Sequence, residues 1–361
     1  MSVIHSFPKV RFDFGAIQSL GEELAALDVD RPLIITDPGV INSGVFEMVR
    51  KALPGKMECA VYGEVGENEK IASIDGVLKI YRENGCNGVI AVGGGSVIGA
   101  ARSVRILATL GGKLDDYRGK PEKITSVVAP CITLPTTAGT GSEITSEGGG
   151  LSSPHLKASV VICDPDLTMT LPPHLTAGTG MDALGHCIEG FMTNSVNPPT
   201  KAIALDGIRR IAINLERAVA DGSDREARWN MLMAAVEGGM AIYLGLGPVH
   251  AMSHAFGPRL HHGTVIGLLI PPVLRFYEDH FGDKLDRIGE AMGLAAGTDI
   301  ATAVADLNTR IGIPAAMREM GCENDDLDAM SDRVFGSHFN ETAPKVPTRE
   351  EYKQIISSVL G

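Results

Sequence analysis

None of the six cysteines (Cys59, Cys86, Cys131, Cys163, Cys187 and Cys322) forms a C-x-x-C pair. That absence argues against a thiolate-based structural zinc site and points to reduced thiols rather than a disulfide framework. Nowhere do 18 apolar residues run together, so no membrane-spanning helix is expected. The start, MSVIHSFPKVRFDFG, lacks the charged and apolar regions of a secretory signal. No run of Lys and Arg stands out, and the net charge is −12. Nucleic acid and anionic membranes are therefore poor partners. Low-complexity segments and internal repeats are also missing. What these absences leave is a cytoplasmic globular protein.

What is present fits that class. Hydrophobic residues at 44% and charged residues at 21% supply enough apolar material for sizeable cores. A chain of 361 residues exceeds the size at which one core stops growing, so two domains are expected. In the first half, short apolar runs (RPLIITDPG, MECAVYGEV, GVIAVGGGS, CITLPTTAGTGSE) alternate with helical patterns (SGVFEMVRKALP, IASIDGVLKIYRENG). This alternation implies βαβ units and a parallel sheet with helices on both faces. From about Leu175 the periodicity is helical throughout, as in TAGTGMDALGHCIEGFMT and DREARWNMLMAAVEGGMAIYLG. We place the boundary in TLPPHLT, giving an α/β domain over 1–174 and an all-helical domain over 175–361.

Two glycine loops end strands of the first half. Gly93, Gly94, Gly95 and Ser96 open a helix, where glycine permits close approach to a phosphate and free N–H groups favour an anion. Ile98 breaks the G-x-G-x-x-G spacing, and a plain strand-to-helix turn accounts for this loop equally well. The second loop, PTTAGTGSE, gathers Thr136, Thr137, Thr140 and Ser142 after another strand. Asp37 follows the strand PLIIT, where a carboxylate suits ribose hydroxyls and repels a 2′-phosphate. Asp37 is also an ordinary turn residue before Pro38 and Gly39. Together the loops and the acid favour a dinucleotide over structure alone.

Four of the ten histidines, His250, His254, His261 and His262, crowd into VHAMSHAFGPRLHHG. Taken singly, a histidine on an apolar helix is more often a core or surface residue than a ligand. Pairing changes the weight. Asp182 and His186 are four apart and share a helix face, as do His250 and His254. One carboxylate with two or three imidazoles suits a divalent ion such as Fe²⁺ or Zn²⁺.

The segments GGGSVIG, PTTAGTGSE, DPDLTMTLPPHLTAGTGMDALGHCIE and VHAMSHAFG followed by HHG occur in this order. Over nearly the whole chain they resemble the iron-containing (group III) alcohol dehydrogenases. GHCIEGF, NPPTKAIALDG and HHGT are most similar to members acting on 4-hydroxybutyrate. The resemblance implies Asp182, His186, His250 and His262 as metal ligands, with iron ahead of zinc. It makes His254 an active-site histidine that relays protons without binding metal, and leaves His261 no role. It further implies NAD(H), held by Asp37, by Gly94, Gly95 and Ser96, by Thr136, Thr137 and Thr140, and by Asn68 on the adenine side. The chain departs from the family at Gly99 and Arg102, where the helix opening usually reads Asp-x-Ala-Lys, and in a shortened segment after Glu143.

The activity so implied is hydride transfer between NAD(H) and a small primary alcohol or ω-hydroxy acid, with 4-hydroxybutyrate and succinate semialdehyde as the leading pair, in a homo-oligomer such as a dimer. A hydroxy acid calls for a cation near the substrate, for which Arg259 and Lys157 are candidates. Alternatives are a maleylacetate reductase-like or glycerol dehydrogenase-like oxidoreductase, a dehydroquinate synthase-like lyase, and a metal-free nucleotide-binding protein. The four-ligand set argues against the glycerol dehydrogenase-like, lyase and metal-free readings.

Overall fold

The computed structural model describes residues 4–55, 57–66, 71–257, 260–322 and 326–361. Two compact units emerge: Ser6–Thr137 with Ser142–Thr170, and Leu171–Gly361 with Ile4, His5 and Ala138–Gly141. The short segment Ala138–Gly141, inside the expected 1–174 span, packs its backbone against Thr179 and Gly239 of the helical unit.

The first unit is built on a parallel sheet. Its strands are β1 (Lys9–Phe12), β2 (Pro32–Ile35), β3 (Ala60–Tyr62), β4 (Gly88–Gly93) and β5 (Cys131–Pro135); a hairpin of β6 (Glu147–Gly148) and β7 (Leu151–Ser152) precedes β8 (Val160–Cys163). The six-stranded order is β1-β8-β5-β4-β2-β3, every pairing parallel. Helices α1 (Leu20–Ala26), α2 (Pro38–Asn42), α3 (Val45–Ala52), α4 (Ile71–Glu83) and α5 (Gly95–Thr109) join the strands.

Successive strand residues enter opposite cores. Leu33, Ile35, Val89 and Ala91 pack with Val77 of α4 and Val104 of α5, while Ile34, Ile90 and Val92 pack with Leu24 of α1 and Val49 of α3. Continuous apolar runs are what a sheet covered on both faces requires. Each fully buried aliphatic side chain of this size contributes roughly 2 kcal/mol. Strands β1 and β8 were not suggested by the helix–strand alternation. In β1, KVRF mixes charge with apolar residues because it is an edge strand, and Lys9 and Arg11 each lie 2.6 Å from the buried carboxylate of Glu23.

The second unit is all helix among the described residues: α6 (Pro173–Met192), α7 (Pro198–Ala220), α8 (Arg225–Ile242), α9 (Pro248–Phe256), α10 (His262–Glu278), α11 (Gly282–Ala291), α12 (Ile300–Arg310), α13 (Leu327–Phe335) and α14 (Arg349–Leu360), with a 3₁₀ turn at His338–Thr342. Helix α6 starts at the second of two prolines, with Pro173 pre-setting φ at its first position. It is buried from Thr176 to Met192. Among the described residues no helix is long and apolar enough to cross a membrane.

Candidate metal centre and cofactor loops

Because α6 is buried along most of its length, a polar face on it needs partners. Asp182 and His186 supply that face and are 2% and 4% exposed. Helix α9 brings His250, 1% exposed, to the same place. One ligand atom from each of these three residues lies within 4.8 Å of the other two. Asp182 Oδ1 is the hub: it lies 3.7 Å from Nε2 of His186, 3.7 Å from Nε2 of His250 and 3.4 Å from Nε2 of His262.

His262 is the first residue of α10, and the next residue puts it there. A β-carbon on Gly263 would collide with the carbonyl of Gly178, so only glycine lets α10 begin against α6. The His262 side chain remains 40% exposed, unlike the other three.

Asp182 Oδ1 and His250 Nε2, which face each other, are buried polar atoms with no hydrogen-bond partner. Such orphans are costly, about 1–3 kcal/mol each, unless something the protein binds satisfies them. An oxygen and several imidazole nitrogens converging on one point are the donor set of a divalent transition-metal ion, so the residues fit the metal that the sequence suggests. Burial opposes ionising Asp182, yet His186, His262 and His250 hold its carboxyl well below the ordinary carboxylate range. Burial pushes His186 down to about 3 against the pull of Asp182, leaving it neutral. His250 goes the other way: burial opposes its charge, but the nearby carboxylates of Asp182 and Glu189 lift it to about 9.

Glu189, absent from the sequence reading, lies behind His250. Its Oε2 sits 2.6 Å from His250 Nδ1, and the residue is 3% exposed. The signal was available: Asp182, His186 and Glu189 stand at i, i+4 and i+7 of one helix face. Phe339, from the 3₁₀ turn, was also missed. Its ring centroid is 4.9 Å from that of His254 and 6.1 Å from that of His250. His254 itself stands outside the compact ligand group, edge-on to His262 at 5.4 Å. His261 Nδ1 pairs with Thr264 Oγ1 at 2.9 Å.

In the sheet unit, Asp37, Gly94 and Thr137 meet beyond the C-terminal ends of β2, β4 and β5. Asp37 caps α2, accepting from Val40 N at 2.9 Å, and its Oδ2 lies beside Gly93. Gly94, the N-cap of α5, lies against Thr137 and has no side chain to cap the helix. Gly95 and Ser96 form the first turn of α5, and Thr136 is buried with its N–H on Gly93 O. Carboxyl ends of parallel strands and an uncapped helix N-terminus are where α/β folds take nucleotides. Thr140 belongs by its contacts to the helical unit. Asn68 and Arg259 lie outside the described residues.

The two departures noted above prove connected. Arg102 is buried and donates to the carbonyls of Ser142, Thr145 and Glu147 and to Thr145 Oγ1, so it ties down the shortened segment. Lys157 Nζ donates to Ser6 O at 2.6 Å and Ser6 Oγ at 3.2 Å.

Residues 8–168 match the family model described as iron-containing alcohol dehydrogenase, and residues 176–360 match that of the Fe-containing alcohol dehydrogenase family, C-terminal. The chain is 40% identical to the 4-hydroxybutyrate dehydrogenase of Cupriavidus necator, covering 100% of both proteins. It is 35% identical to the 1,3-propanediol dehydrogenase of Klebsiella pneumoniae, over 97% of this chain and 96% of that one. A crystal structure of a 1,3-propanediol oxidoreductase superposes with a TM-score of 0.92 at 31% identity, covering 100% of each chain.

Proposed function

This chain belongs to the iron-containing alcohol dehydrogenase family, an oxidoreductase family, and from that premise we propose that it interconverts a small ω-hydroxy acid and its aldehyde with NAD(H). 4-Hydroxybutyrate and succinate semialdehyde are the pair we favour. The observation that carries this reading is the convergence of three imidazole nitrogens on Asp182 Oδ1, all within 3.7 Å. The substrate preference rests on the 40% identity to a 4-hydroxybutyrate dehydrogenase over the full chain.

In this reading Asp182, His186, His250 and His262 hold one divalent ion, iron in preference to zinc. When bound, that ion supplies Lewis acidity that favours the alkoxide form of the alcohol. NAD(H) supplies the hydride carrier, held by Asp37 at the ribose, by Gly94, Gly95 and Ser96 at the pyrophosphate, by Thr136, Thr137 and Thr140, and by Asn68 at the adenine side. His254, beside His262 but outside the compact group, carries the hydroxyl proton toward solvent. Phe339 places an apolar ring against His254 and His250, beside the proposed proton path. Lys157 is taken up by Ser6, so Arg259 is the better candidate for the substrate carboxylate. We place the enzyme in the cytoplasm as a homo-oligomer.

The test is metal content and NADH consumption in protein purified without oxygen, with succinate semialdehyde against simple aldehydes, for wild type and His250→Ala. Roughly one iron or zinc per chain is expected, with activity and metal lost together in the variant and succinate semialdehyde preferred. A wild type without metal, or an active His250→Ala protein, defeats the reading.

A further inference from the structure

We propose that Glu189 is a positioning residue: it fixes the tautomer and orientation of His250 and thereby sets the metal affinity of the centre. This rests on the metal-centre reading above.

The start of α9 explains why a carboxylate belongs there. Its N-cap is Gly247, which has no side chain to accept from the helix, and its first residue is Pro248, which has no N–H. The first free donors are thus the N–H groups of Val249 and His250, both on buried residues. A helix start buried without acceptors is destabilising. Glu189 accepts both, Oε1 from Val249 N at 2.7 Å and Oε2 from His250 N at 3.2 Å. A β-carbon on Gly247 would come within 2.9 Å of Glu189 Oε1, so glycine at the N-cap is what admits the carboxylate.

The same carboxylate reaches the imidazole. With Oε2 2.6 Å from Nδ1, the proton the neutral ring retains sits on Nδ1. Nε2 is then left as a lone pair on the side of Asp182 Oδ1, and these two atoms lack hydrogen-bond partners. A carboxylate behind a ligating histidine raises its basicity and holds its ring in line. Glu189 lies on the helix that carries Asp182 and His186, so one side chain couples that helix to the one carrying His250.

Glu189→Gln tests this, because an amide has one acceptor oxygen and one donor nitrogen where the native group has two acceptors. If the amide N–H faces Nδ1, the ring keeps its hydrogen on Nε2, the ligand nitrogen. If it faces Val249 instead, two N–H groups confront each other at the start of α9. Metal-free wild type, Glu189→Gln, His250→Ala and the double variant are titrated with Co²⁺ against a coloured chelator. Coordination is read from the visible Co²⁺ absorption, and folding from circular dichroism. The expected result is a roughly 10- to 100-fold weaker Co²⁺ affinity in Glu189→Gln and an altered absorption band. No further loss is expected when the change is added to His250→Ala. Glu189→Asp, which keeps both acceptors but draws them back by one methylene, takes the place of Glu189→Gln if that variant melts below the assay temperature, and should also bind Co²⁺ more weakly. Wild-type affinity in a folded variant overturns the proposal. So do losses that add in the double variant, which would leave Glu189 only the capping of α9. A wild type that binds no Co²⁺ at all instead fails the metal-centre reading itself.

Discussion

His262 Nε2 lies closer to Asp182 Oδ1, at 3.4 Å, than His186 or His250 does, yet its side chain is the most exposed of the set. Proximity and burial here point in different directions. The three buried residues form a compact group without it, so a metal can stay on them when His262 is removed. In the proposed centre, losing buried His250 instead would strip a ligand and leave Glu189 without its side-chain partner. We therefore expect His262→Ala to weaken metal binding by about tenfold less than His250→Ala does, a difference near 1.4 kcal/mol. Metal retained after dialysis against graded chelator would show it, and the reverse order would refute it.

Arg102 bonds three carbonyls and a hydroxyl of the segment from Ser142 to Glu147. Lysine carries one compact ammonium and cannot span these acceptors as a planar guanidinium does. Arg102→Lys should leave buried carbonyls unpaired, at about 1–3 kcal/mol. Because the segment directly follows the Thr136–Thr140 loop, the same change should weaken NADH binding several-fold. A lower melting temperature and a reduced NADH fluorescence titration check the two effects. Unchanged NADH affinity with lowered stability would confine Arg102 to a structural part.

Glu237 on α8 carries a pH signature. Burial first, and the Asp206 carboxylate besides, push its pKa up to about 8 against the pull of Arg210, whose Nε lies 3.2 Å away. The ordinary value is near 4.5, so the folded chain binds this proton more tightly than the unfolded one. Stability from this group is therefore complete below about pH 4.5 and is lost as pH rises through about 8. Glutamine mimics the protonated form. Glu237→Gln should gain on wild type in melting temperature as pH is raised from about 5 to 8. A difference that stays flat, or shrinks, across that range would count against a proton on Glu237.

How far the sequence reached depends on what each element asks of its residues. Strands covered on both faces must be apolar throughout, so PLII and GVIAVG were legible, whereas edge strand β1 carries Lys9 and Arg11 and read as nothing in particular. Asp182 and His186 were legible because helical spacing alone puts them on one face. Glu189 sits on that face too, but a glutamate in a helix has many ordinary uses, and only the start of α9, some sixty positions on, gives it work. Phe339 reaches the histidines from a 3₁₀ turn with no periodicity to announce it. Arg102 departs from the family pattern, and the carbonyls that give it a role come together only in the fold.

Asp37 offers the sharpest test of cofactor choice. It has two tasks: Oδ1 caps α2 through Val40 N at 2.9 Å, and Oδ2 lies beside Gly93 at the end of β4. A negative charge there would repel the 2′-phosphate of NADP(H), while a ribose with free hydroxyls can donate to it. Substitution by alanine would confuse the two tasks, since losing an N-cap costs about 1 kcal/mol. Serine keeps a capping oxygen and removes the charge. Asp37→Ser should therefore fold with near-native stability while its ratio of kcat/KM for NADPH over NADH rises by about tenfold, equivalent to 1.4 kcal/mol in the barrier difference. The measurement is steady-state turnover with both cofactors at fixed aldehyde, alongside a melting curve. A wild type that already uses the two cofactors equally, or a variant whose ratio does not move, would remove Asp37 from the ribose site and leave it as the cap of α2.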